Sequence, residues 1–243
     1  MKLIMESWKK FLLKEAAKSV TDLEAADKLA LNTEEAGLTP IIINYPLGKG
    51  ARAICYGGRN EKTGDIIKFD SGRSGVEHYT QGKVSKFLPG GTIYVIPAKY
   101  ANMLSVPKPN CLETFVVGFV TATTKGWGPL LYDVAMEYAT MKGGGLVADR
   151  VSVTDAARNM WDFYMKNRGD VEHKQLDIDD EGSERFDLAQ LTPDDKSDDC
   201  DQTSAMKNLK SKGEWHKEPI SKAFVKKPAI INQLKEKNLY VVL

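Results

Sequence analysis

The sequence predicts an α/β fold in which helices flank a mixed, mostly antiparallel central sheet. Short runs rich in Val, Ile and Thr, separated by glycine-containing turns, indicate antiparallel strands at 40–45, 51–56, 65–69 and 92–97. A longer strand at 112–123 passes through a glycine loop into an amphipathic helix at 129–142. A short strand at 146–149 and a helix ending near Asn167 follow. This order of elements indicates a parallel strand pair joined by a right-handed crossover.

Residues 1–90 are predicted to form N-terminal helices and a β-meander that joins the core sheet. Apolar side chains from Ile4 to Leu13 recur at helical spacing, which predicts a first helix. The sequence Thr-Asp-Leu-Glu at 21–24 has the form of a capping box, and Gly37 is placed to end the second helix. The meander follows these helices and leads into the core at 91–176.

Composition describes a globular protein without a strong electrostatic preference. The 243 residues are 42% hydrophobic and 9% aromatic, and the formal net charge is +1. That balance gives no general attraction to nucleic acid or to a membrane surface. The first ten residues mix charged and apolar side chains, unlike a signal peptide. No apolar run approaches the roughly 20 residues that a spanning helix needs, so we expect a cytoplasmic protein without a membrane partner.

The cysteines and histidines suggest neither staples nor a metal site. Cys55, Cys111 and Cys200 are far apart, odd in number and without Cys-x-x-Cys spacing. This pattern predicts reduced thiols in a cytosolic setting. None of the three histidines lies close in the sequence to a cysteine or to another histidine, so no metal site is predicted.

The loop between the long strand and the next helix predicts an anion site. Gly126 and Gly128 permit close backbone approach, and Pro129 suits the first helical position, where a missing N–H costs nothing. The free N–H groups of the first turn, with the helix dipole behind them, then face any anion that docks there. A phosphate or pyrophosphate group fits this description best.

These segments resemble the GNAT (Gcn5-related N-acetyltransferase) superfamily. The resemblance covers roughly residues 92–176 and depends on the order of elements, the loop at 125–131 and the helix at 153–167. The family's Arg/Gln-x-x-Gly-x-Gly/Ala loop falls here on Thr123, Gly126 and Gly128, so both glycines match and Thr123 departs from the pattern. The overall sequence pattern is also similar to GNAT-like proteins of large bacterial viruses.

The resemblance implies a CoA-dependent N-acyltransferase that moves an acetyl group from acetyl-CoA to a primary amine. Two parallel strands of such proteins part, and the pantetheine of the carrier lies in the opening. On this chain the resemblance implies carrier contacts at eight residues: Phe119, Val120, Thr121, Thr123, Lys125, Gly126, Trp127 and Gly128. The acceptor is a small-molecule or protein amine. Direct attack on the thioester requires a base and an acid, for which Glu113 and Tyr164 are the candidates.

Alternatives stand beside each of these assignments. Glu113 also fits a solvated carboxylate at a strand end, and Trp127 also fits packing on the sheet. If Trp161 takes the position of the family tyrosine instead of Tyr164, its indole N–H is no useful proton donor. The second functional hypothesis is therefore a GNAT-like binding or structural module without turnover, such as a viral component. A nucleotide-binding enzyme is a third, although its Gly-Lys-Ser/Thr and Gly-x-Gly-x-x-Gly patterns are missing.

Residues 177–243 are predicted to form an acidic loop and a Lys-rich tail. From 170 to 201 there are thirteen acidic residues against three basic ones, and from 205 to 243 nine lysines against three glutamates. A solvated acidic loop, able to pack against the Lys-rich tail by mutual attraction, is the preferred interpretation, with nucleic-acid binding by the lysines as the alternative. The run at 177–182 is similar to the start of an EF-hand, but Leu188 replaces the glutamate required at position twelve. Residues 238–243 are predicted to form a terminal strand.

Overall fold

The architecture comes from a computed structural model, which describes residues 37–47, 51–59, 66–72, 75–79, 92–100, 111–120, 128–149, 153–202, 212–237 and 240–242. The strands are β1 Gly37–Leu47, β2 Ala51–Arg59, β3 Ile66–Gly72, β4 Gly75–Tyr79, β5 Thr92–Pro97, β6 Phe115–Val120, β7 Leu146–Val147, β8 Glu172–Gln175, β9 Asp177–Ile178, β10 Asp199–Cys200, β11 Lys222–Val225 and β12 Tyr240–Val242. The helices are α1 Gly128–Lys142, α2 Asp155–Asn167, α3 Asp180–Phe186 and α4 Ala229–Glu236. The two predicted N-terminal helices lie outside the described residues.

Ten strands form one open, mostly antiparallel sheet, as the sequence predicts. The order is β12-β1-β2-β5-β6-β7-β11-β8, while β3 pairs with β2 and β4 pairs with β3. Two neighbouring pairs are parallel, β6 with β7 and β1 with β12. The fold is therefore a mixed α/β arrangement with helices packed on the sheet.

Local sequence signals place the central elements well. The predicted helix at 129–142 is α1, and the predicted strand at 92–97 is β5. Thr154 is the N-cap of α2, where its hydroxyl accepts a hydrogen bond from the Ala157 N–H at 3.3 Å. The terminal strand is present as β12 and pairs in parallel with β1. These elements carry their own caps, turns or β-rich runs, and that explains the agreement.

The strand predicted at 112–123 begins later than expected. Cys111, Leu112 and Glu113 form a tight turn in the left-handed region, with φ values of 60°, 50° and 53°. Such conformations are disfavoured for residues other than glycine. The apolar pattern of the sequence at this position predicts a strand and not a left-handed turn. The strand starts at Phe115, so Glu113 lies in a turn before β6. Residues 121–127 at the other end lie outside the described residues.

Helix α1 is the centre of the larger hydrophobic core. Every residue from Leu130 to Ala139 is buried, including Asp133 and Glu137. The helix packs against β2, β5, β7, β11 and α4, and a helix covered on most sides is expected to lack a polar face. Around it, Trp161 and Tyr164 of α2 stack near Tyr132, and Trp161 also lies 4.9 Å from Phe224 between ring centroids. Core packing is the observed place of Trp161.

Three glycines end α1 and let the chain pass against the left-handed turn. A Cβ on Gly144 would overlap the Leu112 carbonyl oxygen, and one on Gly143 would overlap that of Glu113. Gly145 adopts φ +113° and lies where a Cβ would meet the Phe224 carbonyl at 2.6 Å. Side chains at these positions would push the end of α1 away from β6.

The C-terminal third belongs to the same structure as the core. Strand β11 lies inside the large sheet between β7 and β8, and α4 packs on α1. Strands β9 and β10 form a second, two-stranded parallel sheet. The EF-hand-like run at 177–182 divides between β9 and the first turns of α3.

The prediction of three reduced thiols is wrong for two of them. Cys111 and Cys200 form a disulfide across a sequence separation of 89 residues. Pairing of β10 with β9 brings Cys200 beside the turn at Cys111, so the bond depends on tertiary structure that sequence spacing does not reveal. Cys55 lies in β2.

Among the described residues, none of the helices combines the length and the apolar character needed to cross a bilayer.

Candidate functional site

The candidate site begins where the parallel strands β6 and β7 part. Their pairing consists of two rungs, Phe115 with Leu146 and Val116 with Val147. On its other edge β6 stays paired with β5 as far as Val120. Among the described residues, β7 ends while β6 continues through Gly118 to Val120. The end of this pairing, called here the β6–β7 fork, leaves one edge of the end of β6 without a partner from β7.

The predicted carrier residues are only partly described. Phe119 and Val120 lie in β6 opposite Tyr94 and Ile93, and Val120 is partly buried. Thr121, Thr123, Lys125, Gly126 and Trp127 lie outside the described residues. Gly128 is the first residue of α1. The described residues on either side of 121–127 are therefore the end of β6 and the start of α1.

Tyr164 holds the start of α1 rather than facing an open surface. Its side chain is fully buried, and its hydroxyl donates a hydrogen bond to the Pro129 carbonyl at 3.0 Å. Burial, together with nearby Asp133, raises the pKa of the phenol well above its usual value. A neutral phenol at this place fixes the first turn of the helix. Its predicted role as a proton donor to a leaving thiolate stays a prediction.

Glu113 is exposed at the other end of β6. Its backbone carbonyl accepts a hydrogen bond from the Gly144 N–H at 3.2 Å, which joins the turn to the end of α1. The backbone of Glu113 is left-handed, and the residue directly precedes the buried Thr114. Neither the burial nor the backbone contacts bring Glu113 to Tyr164, and its assignment as a base also stays a prediction.

A charged cluster lies beneath the first half of α1. Arg168 contacts buried Asp133, with Nη2 3.1 Å from Oδ1, and Oδ1 forms no hydrogen bond among the described residues. Burial raises the pKa of the Asp133 carboxyl despite the nearby guanidinium. Arg168 also donates to Asp170 at 2.7 Å and 2.8 Å, and this pairing lowers the pKa of Asp170 to about 2. The cluster ties the end of α2 to the side of α1.

A second buried pair lies one turn further along α1. Glu137 is fully buried and accepts a hydrogen bond from the Lys226 ammonium. It also accepts from the backbone N–H groups of Ile230 at 2.9 Å and Ile231 at 2.7 Å. The carboxylate therefore caps the start of α4, where the helix dipole favours negative charge. Lys226 also lies 3.6 Å from Asp170, so one lysine of the basic half contacts an acid of the acidic half.

Three carboxylates meet where β9 and β10 pair. Asp177, Asp198 and Asp199 each offer an oxygen within 4.8 Å of the others. Asp177 is fully buried, and its oxygens accept four hydrogen bonds, from the N–H groups of residues 178, 191 and 192 and from the Thr192 hydroxyl. Asp177 is thus satisfied by the protein itself and organises the loop that returns to β10.

The neighbours of Asp177 are less well satisfied. Burial, reinforced by the charge of Asp177 and the adjacent acids, raises the pKa of Asp199 to about 6. Burial also raises the pKa of Asp198, whose Oδ1 is enclosed without a hydrogen-bond partner among the described residues. Oxygen ligands of this kind suit a hard cation, but the four bonds to Asp177 already give the most buried carboxylate a structural role.

Comparisons with known proteins assign no family to these features. The chain matches no protein-family model, no curated protein and no solved structure.

Sequence reasoning missed the buried ionic groups and the disulfide. Asp133, Glu137 and Lys226 stand among apolar residues in the sequence, and a charge at a core position of a predicted helix is the signal that points to a buried partner. In the sequence, Asp198 and Asp199 stand in an acidic run that does not indicate their proximity to Asp177. Glu137 lies 89 residues from its partner Lys226, and Asp199 lies 22 residues from Asp177.

Proposed function

We propose that the chain is a CoA-dependent N-acyltransferase that transfers an acetyl group from acetyl-CoA to a primary amine. The β6–β7 fork carries the proposal. Pairing ends after Val116 and Val147, and β6 continues for four residues toward the glycine loop and α1. An unpaired strand edge is a row of N–H and C=O groups ready to bind an extended ligand. The amide groups of pantetheine match such an edge.

The start of α1 supports the second half of the proposal. Gly128 and Pro129 begin a helix of fifteen residues, and its first N–H groups lack intrahelical acceptors. A diphosphate placed there gains hydrogen bonds and a favourable helix dipole. Tyr164 and the Arg168–Asp133 contact hold this helix against α2, which keeps the N–H groups in place. The strand edge and the helix start thus suit the two chemically different parts of one carrier.

Apart from binding the carrier, the protein must support two proton transfers. The acceptor must arrive as a neutral amine, its nitrogen bonds to the thioester carbon, and the carbon–sulfur bond breaks as the thiolate takes up a proton. Glu113 is the proposed base, directly or through water. Tyr164 is the proposed acid, and its hydroxyl must leave the Pro129 carbonyl to serve in this way.

The test of the proposal is ligand-specific stabilisation. Acetyl-CoA at a hundred times its Kd stabilises a folded protein by about 2.7 kcal/mol, so the melting temperature is expected to rise with acetyl-CoA or CoA and to stay unchanged with ATP or NAD. Turnover is then measured as thiol release against a panel of amines. Stabilisation by ATP or NAD alone, or by none of the four, would refute the carrier site.

A pair of variants at Gly128 separates charge from bulk. Gly128→Glu places a carboxylate at the first residue of α1. The helix dipole stabilises this negative charge, but the carboxylate repels a bound diphosphate. Gly128→Gln is the matched control, because it has nearly the same size without the charge. The Glu variant is expected to fold and to lose stabilisation by acetyl-CoA, while the Gln variant keeps a larger share. Equal stabilisation of both variants by acetyl-CoA would contradict the diphosphate position.

The alternative function is a binding or structural module that keeps the carrier site without turnover. The observation in its favour is the burial of Tyr164, whose proton is held by a backbone carbonyl. Such a module would bind CoA and release no thiol with any amine. Tyr164→Phe distinguishes the two: it should greatly slow thiol release if the phenol is the acid, whereas a module without turnover releases no thiol before or after the substitution.

A further inference from the structure

We infer that the Cys111–Cys200 disulfide sets the shape of the β6–β7 fork, so that the redox state of this cysteine pair regulates carrier affinity. The inference rests on the proposed function, because it concerns the same site. It adds a regulatory group that lies outside the carrier contacts. Two observations carry it: the packing of the disulfide and the left-handed conformation of the turn at Cys111, to which the disulfide is bonded.

The disulfide lies in the same buried cluster as the last paired residues of the fork. Cys111 and Cys200 share one buried cluster with Val116 and Val147, the last rung of the parallel pair. Ala98, Leu176 and Ala223 complete this cluster. Because interiors are close-packed, a change in the position of the sulfur atoms is transmitted to the two valines. The end of the β6–β7 pairing and the disulfide therefore belong to one packed cluster.

The turn at Cys111 is held in a costly conformation. Three successive residues other than glycine adopt left-handed φ values, and such residues persist only where their surroundings enforce them. The Leu112 N–H donates to the Ser197 carbonyl at 2.7 Å, and the Glu113 carbonyl accepts from Gly144. Together with the disulfide, these bonds tie the turn to the segment before β10 and to the end of α1. The disulfide is the covalent tie among them.

Reduction removes that tie in a balanced exchange. A thiolate of a cellular dithiol attacks one sulfur, a mixed disulfide forms, and the second thiol of the reductant displaces it. Two electrons and two protons reach the protein as two thiols, and the dithiol leaves as its own disulfide. Cys111 is 1% and Cys200 4% exposed, so the segment carrying Cys200 must open before the exchange. We therefore expect slow reduction of the folded protein.

The expected consequence is a weaker carrier site in the reduced form. Once the sulfur atoms separate, the left-handed turn is free to relax, and the start of β6 moves with it. Relief of one left-handed residue corresponds to about a tenfold change in an equilibrium constant. We expect the Kd for acetyl-CoA to rise by about this factor on reduction.

The experiment compares oxidised and reduced full-length protein. Alkylation and mass measurement first establish one free thiol in the oxidised form and three in the reduced form. The reductant is tris(2-carboxyethyl)phosphine, because it carries no thiol that would attack a thioester. Calorimetry then gives the Kd for acetyl-CoA in both forms, and hydrogen exchange by mass spectrometry follows peptides that contain residues 112–117. Cys200→Ser and Cys111→Ser are the reduced mimics, and Cys55→Ser is the matched control.

The outcomes separate this inference from the proposed function. A tenfold weaker Kd and faster exchange at 112–117 in the reduced form and in Cys200→Ser, with no change in Cys55→Ser, support it. Three free thiols before reduction, or equal Kd values in both forms, overturn it. If the oxidised protein binds no acetyl-CoA, the proposed function fails, and exchange alone then decides whether the disulfide controls the fork: unchanged exchange at 112–117 overturns the inference.

Discussion

Replacing Asp199 by Asn is expected to stabilise the protein at neutral pH and to have little effect near pH 4. Asp199 is 9% exposed and lies beside Asp177 and Asp198. Burial and the neighbouring carboxylates raise its pKa to about 6. The folded protein therefore binds a proton at this carboxyl more tightly than the unfolded chain, whose aspartates titrate near their ordinary pKa of about 3.9.

The sign of the pH dependence follows from this difference. Between about pH 4 and pH 6 the folded state carries more protons than the unfolded state, so the free energy of unfolding falls as pH rises through this window. Above pH 6 the whole penalty is present. A shift of about two pKa units corresponds to about 3 kcal/mol, which is the upper limit for the gain from Asn at pH 7.5. The amide keeps an oxygen for Gln190, whose Nε2 lies 3.5 Å from Oδ1.

The assay is urea unfolding of the oxidised protein at pH 4, 5, 6 and 7.5 in buffer containing EDTA, which excludes bound divalent cations. Asp194→Asn is the matched control, because Asp194 is exposed in the same acidic segment. We expect the gain from Asp199→Asn to grow from near zero at pH 4 to between about 1 and 3 kcal/mol at pH 7.5. A variant less stable than wild type at pH 7.5, or a gain independent of pH, would refute the reasoning.

Three other substitutions probe the ties around α1. Tyr164→Phe removes the hydrogen bond to the Pro129 carbonyl and should cost about 1 kcal/mol in urea unfolding; no loss would mean that the bond contributes nothing. Glu137→Gln leaves the buried Lys226 ammonium with Asp170, 3.6 Å away, as its remaining acidic contact among the described residues, and should cost about 3–5 kcal/mol; a cost below 1 kcal/mol would contradict the buried pair. Cys200→Ser opens a closed loop of 89 residues and should cost about 4–5 kcal/mol by loop entropy, measured as the fall in unfolding free energy; unchanged stability would exclude the disulfide.

Sequence reasoning succeeded where a short segment determines its own structure. The cap at Thr154, the proline after Gly128 and the glycines after Lys142 mark the ends of α1 and α2 within a residue or two. The alternating β-rich runs likewise predict the antiparallel meander, whose pairing of β1 with β2 and of β2 with β3 the structure contains. Local signals of this kind can be read from neighbouring residues alone, without knowledge of the tertiary structure.

The candidate site was less predictable because its features depend on distant partners. The sequence near Cys111 does not indicate three left-handed residues, since the distant residues Ser197, Cys200 and Gly144 contribute contacts to this turn beside those of Thr114. Leu112 and Glu113 were therefore assigned to a strand. The helical spacing of Tyr164 suits core packing and catalysis equally. Only the structure shows that the tyrosine hydroxyl contacts the Pro129 carbonyl.

The buried charges around α1 are better explained by the placement of this helix than by stability. A buried ion pair often contributes less to folding than a hydrophobic pair of the same size, because desolvation offsets the attraction. Hydrophobic burial is not directional, whereas the hydrogen bonds to Glu137 fix its position relative to Lys226, Ile230 and Ile231. Tyr164 and Arg168 restrain the same helix nearer its start. If the first N–H groups of α1 hold a diphosphate, as proposed, these three polar ties help to keep those N–H groups in place.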